Sequence, residues 1–223
     1  MKKGLRWLFA ALTLFQGGIV PASGAEDPRL VAEINNQAGF DKAVTAGAKE
    51  IVSGIFSELG VQIGWQNRAD SGSPGAGSGT PAAQPDLLIN LVSVRPTVIG
   101  GRGDEAGLAA VPGDGQPGVR IWIFRPPLEK IIDDTQYLVP SRDRILLGKV
   151  LLAHVMAHEM GHLLLGSTAH SGSGIMTIGW HLSKIQLACT GRLRFLPRQS
   201  EGIRAAARAR NAAVYASAGR PVR

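Results

Sequence analysis

His158-Glu159-Met160-Gly161-His162 is the stretch of this 223-residue chain whose residue types and spacing can do chemistry. Residues four apart on a helix lie one turn above each other on one face. His158 and His162 would thus offer two imidazoles to one metal ion, with Glu159 beside them as a carboxylate not needed for coordination. A catalytic zinc takes three protein ligands and keeps a further position for water. The third ligand must come from elsewhere, and His170 is the nearest histidine downstream, with His181 and Glu201 as alternatives. His154 lies one turn before His158, but between His154 and His162 a helix accumulates about 80° of rotation, which suits His154 to packing or support instead. Such a centre would polarise a carbonyl and lower the pKa of water from about 9 to about 7. Glu159 would then take the proton and hand it to a departing amine.

The elements that must position these groups can be read around them. Leu146, Leu147, Val150, Leu151 and Val155 recur at helical spacing and lead into the histidines. A helix over 142–165 follows, with Ser141 as N-cap, Asp143 in the first turn and Gly166 as the stop. Upstream, Val44, Ala48, Ile51, Ile55 and Leu59 predict a helix over 36–59, ended by Gly60. Residues 61–65 alternate as a strand, and 86–94 are apolar enough for a central one. Residues 119–124 read as an edge strand, because Pro126 and Pro127 follow directly. Two glycine-rich stretches, 71–84 and 100–118, read as loops, the first as a flexible insertion. Arg102-Gly103-Asp104 within the second is loop composition. A helix over 180–189 and an arginine-rich segment over 197–223 complete the chain. The expected fold is α+β: a mixed, twisted sheet packed on a long active-site helix in a single domain, 26–223.

The region from His158 to Met176 resembles the metzincin clan of zinc endopeptidases, whose motif is H-E-x-x-H-x-x-G-x-x-H followed by a methionine turn. His158, Glu159 and His162 match residue by residue. Gly166 and His170 stand four and eight residues after His162, where the clan has three and six. Ser171 and Gly174-Ile175-Met176 look like the clan's His-Ser and Ile-Met turn. The resemblance covers about twenty residues. It implies zinc as cofactor, a peptide or protein substrate, and Met176 as an apolar base beneath the metal. It also implies substrate pairing with an edge strand, for which Val119, Ile121 and Ile123 are the candidates. The clan's cysteine latency switch has no counterpart, since Cys189 is the only cysteine and reads as a buried small hydrophobe.

Composition bounds the remaining possibilities. Lys2, Lys3 and Arg6 precede an apolar run from Trp7 to Val20 and the small residues Ala22 to Ala25, the pattern of a secretory signal peptide over 1–25. The expected location is therefore secreted, extracellular or periplasmic, with no stable membrane anchor after cleavage. Formal net charge is +7, and without those three basic residues it falls to +4, too little to suggest nucleic acid. With 44% apolar and 18% charged residues, the rest suits one globular domain, expected to be a monomer. The leading expectation is a secreted zinc-dependent endopeptidase. The alternative is a secreted zinc-binding protein without proteolytic activity that holds anionic polymers or surfaces through its arginine-rich C-terminus.

Overall fold

The structure, a computed structural model, describes residues 27–66, 85–97, 104–111, 119–135, 137 and 144–218. The signal segment 1–25, the insertion 71–84, most of 100–118, Ser141 and Asp143 lie outside them. The described elements are β1 (Arg29–Asn36), α1 (Lys42–Ser57), β2 (Gln62–Gln66), β3 (Leu87–Val92), β4 (Gly107–Ala109), β5 (Arg120–Phe124), α2 (Arg125–Thr135), α3 (Arg144–Leu165), α4 (Leu182–Cys189) and α5 (Pro197–Ala218). They make an α+β fold with a mixed sheet of order β2-β1-β3-β5-β4, in which only β4 runs antiparallel. β3 pairs in parallel on both sides, so Leu87, Ile89 and Leu91 are fully buried. That double coverage is why its sequence is almost continuously apolar.

Two strands depart from the sequence reading. β1 occupies residues just ahead of the helix expected over 36–59, where the sequence pattern announced no element. Leu30 and Ala32 are buried in alternation with more exposed Arg29 and Val31, the period of two that marks a strand. The helix cannot begin at Asn36, because its side chain bonds Phe40 through both N–H and C=O, at 3.0 and 2.9 Å, and closes a loop. α1 starts instead at Lys42, where the Asp41 carboxylate caps the helix by accepting the Ala43 N–H at 2.6 Å.

The second departure moves the edge of the sheet. β4 arises inside a glycine-rich stretch read as loop and pairs Gly107, Leu108 and Ala109 with Ile123, Trp122 and Ile121. Residues 119–124 are therefore not the edge: β5 lies between β3 and β4, and Ile121 and Ile123 are fully buried. Val119 precedes β5 at the surface. Pro126 and Pro127 do not mark an edge either. They sit in the first turn of α2, where the missing N–H of proline has no intrahelical partner to lose.

α3 is buried around nearly its whole circumference and packs on α1, α2, α4 and α5 as well as β4 and β5. Leu147, Val150, Leu151 and Val155 of the expected stripe are buried, whereas Leu146 faces outward. Gly60 and Gly166 end α1 and α3 with φ of 68° and 59°, the left-handed turn that favours glycine. α5 is tied across the chain: the guanidinium of Arg204 donates to the Leu59 carbonyl at 2.7 Å, and that of Arg210 to the Asp86 carbonyl at 2.9 Å. These two arginines of the basic tail thus tie α5 to the end of α1 and the start of β3. Cys189 is exposed, not buried as its residue type suggested, because it falls on the outer side of α4. Among the described residues no helix is long and apolar enough to cross a membrane.

His154 lies wholly within this packing and donates from Nδ1 to the Val150 carbonyl at 2.8 Å. Burial, ahead of Lys184 and Arg194, lowers its pKa from 6.5 to about 4. Between those values the unfolded chain binds the proton that the folded chain refuses, so this contribution to stability is complete above pH 6.5 and is lost as pH falls toward 4. The effect is on the order of 3 kcal/mol over that window. His154→Leu should flatten the pH dependence of urea unfolding between pH 6.5 and 4 relative to the parent; parallel profiles would contradict this.

Candidate metal centre

The end of α3 both terminates the helix and aims its last histidine. With Gly166 in the left-handed conformation, the Ser167 N–H turns back to the His162 carbonyl at 3.2 Å, one of the bonds that close a helix C-terminus. The Ser167 carbonyl in turn accepts His162 Nδ1–H at 2.7 Å. One turn earlier, His158 Nδ1–H donates to the Ile175 carbonyl at 2.8 Å, from the segment Gly174-Ile175-Met176. Both imidazoles are thereby fixed in the tautomer whose Nε2 carries a lone pair.

Those two Nε2 atoms face each other at 3.1 Å. Lone pairs at that distance repel unless a cation stands between them, and a tetrahedral zinc with N ligands at ~2.0–2.1 Å would space them by roughly 3.3 Å. His170 completes the group. Its ring stacks on His158 with centroids 5.2 Å apart and meets His162 edge-on at 4.9 Å. Ligand atoms of the three histidines lie within 4.8 Å of one another, and no other such cluster of His, Cys, Asp or Glu occurs among the described residues. His181 is the N-cap of α4 and Glu201 an exposed residue of α5, and neither joins it. His154 also stays outside. An all-imidazole donor set with room for a further ligand fits zinc.

The loop carrying His170 is closed by backbone bonds. Ser171 N–H donates to the Met176 carbonyl at 2.9 Å, and Ser167 Oγ accepts the Ala169 N–H at 3.1 Å. Met176 is fully buried and packs under α3 at Gly161, where a Cβ would stand 2.5 Å from its sulfur and 2.9 Å from the Phe195 ring. Glycine at that position is what lets the Met176 turn approach the helix.

Glu159 points toward β4. A Cβ at Gly107 would come within 2.7 Å of its carboxylate, so this edge strand can lie against Glu159 only with glycine there. Burial pushes the Glu159 pKa up to about 8, opposed by the N–H of Ala109 bonding its carboxylate, reinforced by Glu105 and opposed again by Lys184. A cation among the histidines would pull it back toward the ordinary carboxylate range. Burial also lowers the His158 pKa to about 3 and lowers that of His162, which leaves both imidazoles neutral, the form that binds metal.

A cavity of about 640 Å³ opens over these groups, walled by residues 104–109 on one side and by Thr177, Ile178, Trp180 and Lys184 from the segment after Met176. Sequence reasoning missed Gly107, Ala109 and Lys184. Only Lys184 left a signal: it lies in phase with Ile185 and Ala188, on the buried face of α4.

Comparison with known proteins adds little to this geometry. The sequence matches no protein-family model, and no curated protein matches it. Among solved structures it is similar to the crystal structure of archaemetzincin from Methanopyrus kandleri, at 14% identity and a TM-score of 0.44, covering 85% of this chain and 99% of that one.

Two measurements test the centre. Elemental analysis after dialysis should find near one zinc per chain in the parent and in His181→Ala, and a clear loss in His170→Ala; equal zinc in all three would remove His170 from the ligand set. Gly161→Ala should lower stability by about 1–3 kcal/mol through overpacking against Met176 and Phe195. An unchanged urea midpoint would show that this contact is slack.

Proposed function

We propose that this chain is a secreted zinc-dependent endopeptidase. The observation that supports it best is the convergence of His158, His162 and His170 beside a buried carboxylate, Glu159, in a cavity flanked by the edge strand of the sheet. A metal alone would need only ligands. A general base standing next to them, held in place by a backbone N–H, is what hydrolysis requires.

Zinc, when bound by the three imidazoles, supplies Lewis acidity toward a carbonyl and makes water nucleophilic at neutral pH. The chain's own residues do the rest. The Ile175 and Ser167 carbonyls keep His158 and His162 in the coordinating tautomer. Glu159 accepts a proton from the attacking water and delivers it to the amine of the departing peptide. β4 provides the substrate rail. Phe124 N–H bonds Ala106 and Ala110 N–H bonds Arg120, so Ala106 and Ala110 face β5 while Gly107 and Ala109 turn their backbone groups outward. The outward groups of Ala109 are engaged by Glu159 and by the Val111 N–H. Gly107 is thus the residue of β4 open to an extended peptide, and pairing through backbone groups binds peptides with little sequence preference. The apolar run and small residues of 1–25 support secretion.

Glu159→Ala should retain its zinc and lose peptide hydrolysis by roughly 10²–10⁴-fold, the usual contribution of a positioned acid–base group. Turnover of a mixed peptide substrate is the assay; an undiminished rate with full zinc would exclude Glu159 as the base.

A further inference from the structure

Lys184 is a cation where helix patterning calls for an apolar residue. It shares the buried face of α4 with Ile185 and Ala188 and is only 7% exposed. Lysine is almost never buried to that degree without a counter-charge. Its ammonium donates to the Thr177 carbonyl at 2.6 Å and lies 4.4 Å from the centre of the Trp180 ring. Among the described residues it forms no ion pair. An ammonium has three donors. The carbonyl and the ring face occupy two, and the group borders the cavity that contains the metal cluster and Glu159.

A structural role does not account for the charge. Holding the Thr177 carbonyl needs one donor, which a neutral side chain would supply without the desolvation of an ammonium. Burial lowers the Lys184 pKa to about 8, with Glu159 opposing the shift, so the group stays cationic at neutral pH. No other lysine or arginine lines the cavity among the described residues. Of the acidic lining residues, Glu159 belongs to the histidine site and attracts the ammonium from across the cavity, while Asp104 and Glu105 come from the segment entering β4, where Glu105 is paired with Arg95 at 2.6 Å. Near α4, then, the cavity wall is apolar with a single positive charge: Thr177, Ile178, Trp180 and Lys184.

We propose that Lys184 is a specificity-determining residue that receives a carboxylate of the substrate in this part of the cavity. The carboxylate is that of an acidic side chain or of the peptide C-terminus, and the proposal rests on the peptidase reading above. The oxygen completes the contacts of a buried ammonium beside the Trp180 ring, a setting in which a charge-assisted bond is stronger than at an exposed surface.

The test uses matched peptides that differ only in charge: glutamate against glutamine downstream of the cleaved bond, and a free C-terminus against its amide. Zinc-loaded parent, Lys184→Met and Lys184→Arg are compared, with zinc content checked for each. The parent should favour the carboxylate member by about tenfold in kcat/KM, as one charge-assisted bond predicts. The difference should lie in KM. Lys184→Met should bring the two members within about twofold while still turning over the neutral peptide, and Lys184→Arg should restore part of the preference. Which pair shows the preference identifies the source of the carboxylate. Equal treatment of both pairs by the parent, persistence of the preference in Lys184→Met, or equal loss of all turnover in that variant would overturn the proposal. The same peptides are also titrated by calorimetry into zinc-loaded Glu159→Ala, with and without Lys184→Met. If the parent cleaves no peptide, the peptidase reading fails, whereas the dissociation constants still decide Lys184: a carboxylate preference that Lys184→Met abolishes supports it, and equal or absent binding overturns it.

Discussion

A neutral imidazole carries one N–H and one lone pair, and whichever group accepts the N–H decides which nitrogen faces a metal. Here that decision is made twice by backbone carbonyls, Ser167 for His162 and Ile175 for His158. The arrangement depends on the left-handed Gly166, because the turn that ends α3 is what brings Ser167 back over the last helical turn. Helix termination, ligand orientation and the start of the loop bearing His170 are thus one local structure. The second carbonyl reaches His158 only because Met176 seats closely under α3, and that close seating depends on Gly161. The metal-binding geometry is set by how two turns meet one helix.

The same burial that orders the ligands determines the electrostatics of the cavity. Desolvation disfavours the charged form of the buried groups on this side of α3, raising Glu159 and lowering His154, His158 and Lys184. For the histidines this favours coordination, since the neutral ring is the ligand. For Glu159 it yields a carboxyl group that a cation among the histidines would return to its ionised form. Lys184 acts on Glu159 in the same sense, and its charge reaches the cavity from α4. Polar groups are few against the apolar wall, and each is held by a backbone partner: Glu159 by Ala109, Lys184 by Thr177, the two ring N–H groups by carbonyls.

Local pattern carried much of this in the sequence. The helical spacing from Leu147 to Val155 set α3, the glycine at 166 set its end, and the four-residue interval between His158 and His162 set a shared face. The continuous apolar run of β3 announced a strand covered on both sides. β1 was also legible in principle, through the alternation of Leu30 and Ala32, but the helical run that follows masked it. β4 was not legible. Three residues, one of them glycine, carry no periodicity, and they form a strand only because β5 presents an unpaired edge to them.

The sequence by itself therefore determined the chemistry on offer, two imidazoles and a carboxylate on one helix, because such spacing depends only on the geometry of that helix. Tertiary structure decided everything that joins distant segments. It brought His170, and not His181 or Glu201, beside His158 and His162, since a loop's path is set by what it packs against. It made β4 the edge and enclosed β5, since strand order follows from pairing between chain segments far apart in sequence. It also placed Lys184 at the cavity wall: its phase with Ile185 and Ala188 marks the inner face of α4, but which cavity that face borders depends on where α4 docks.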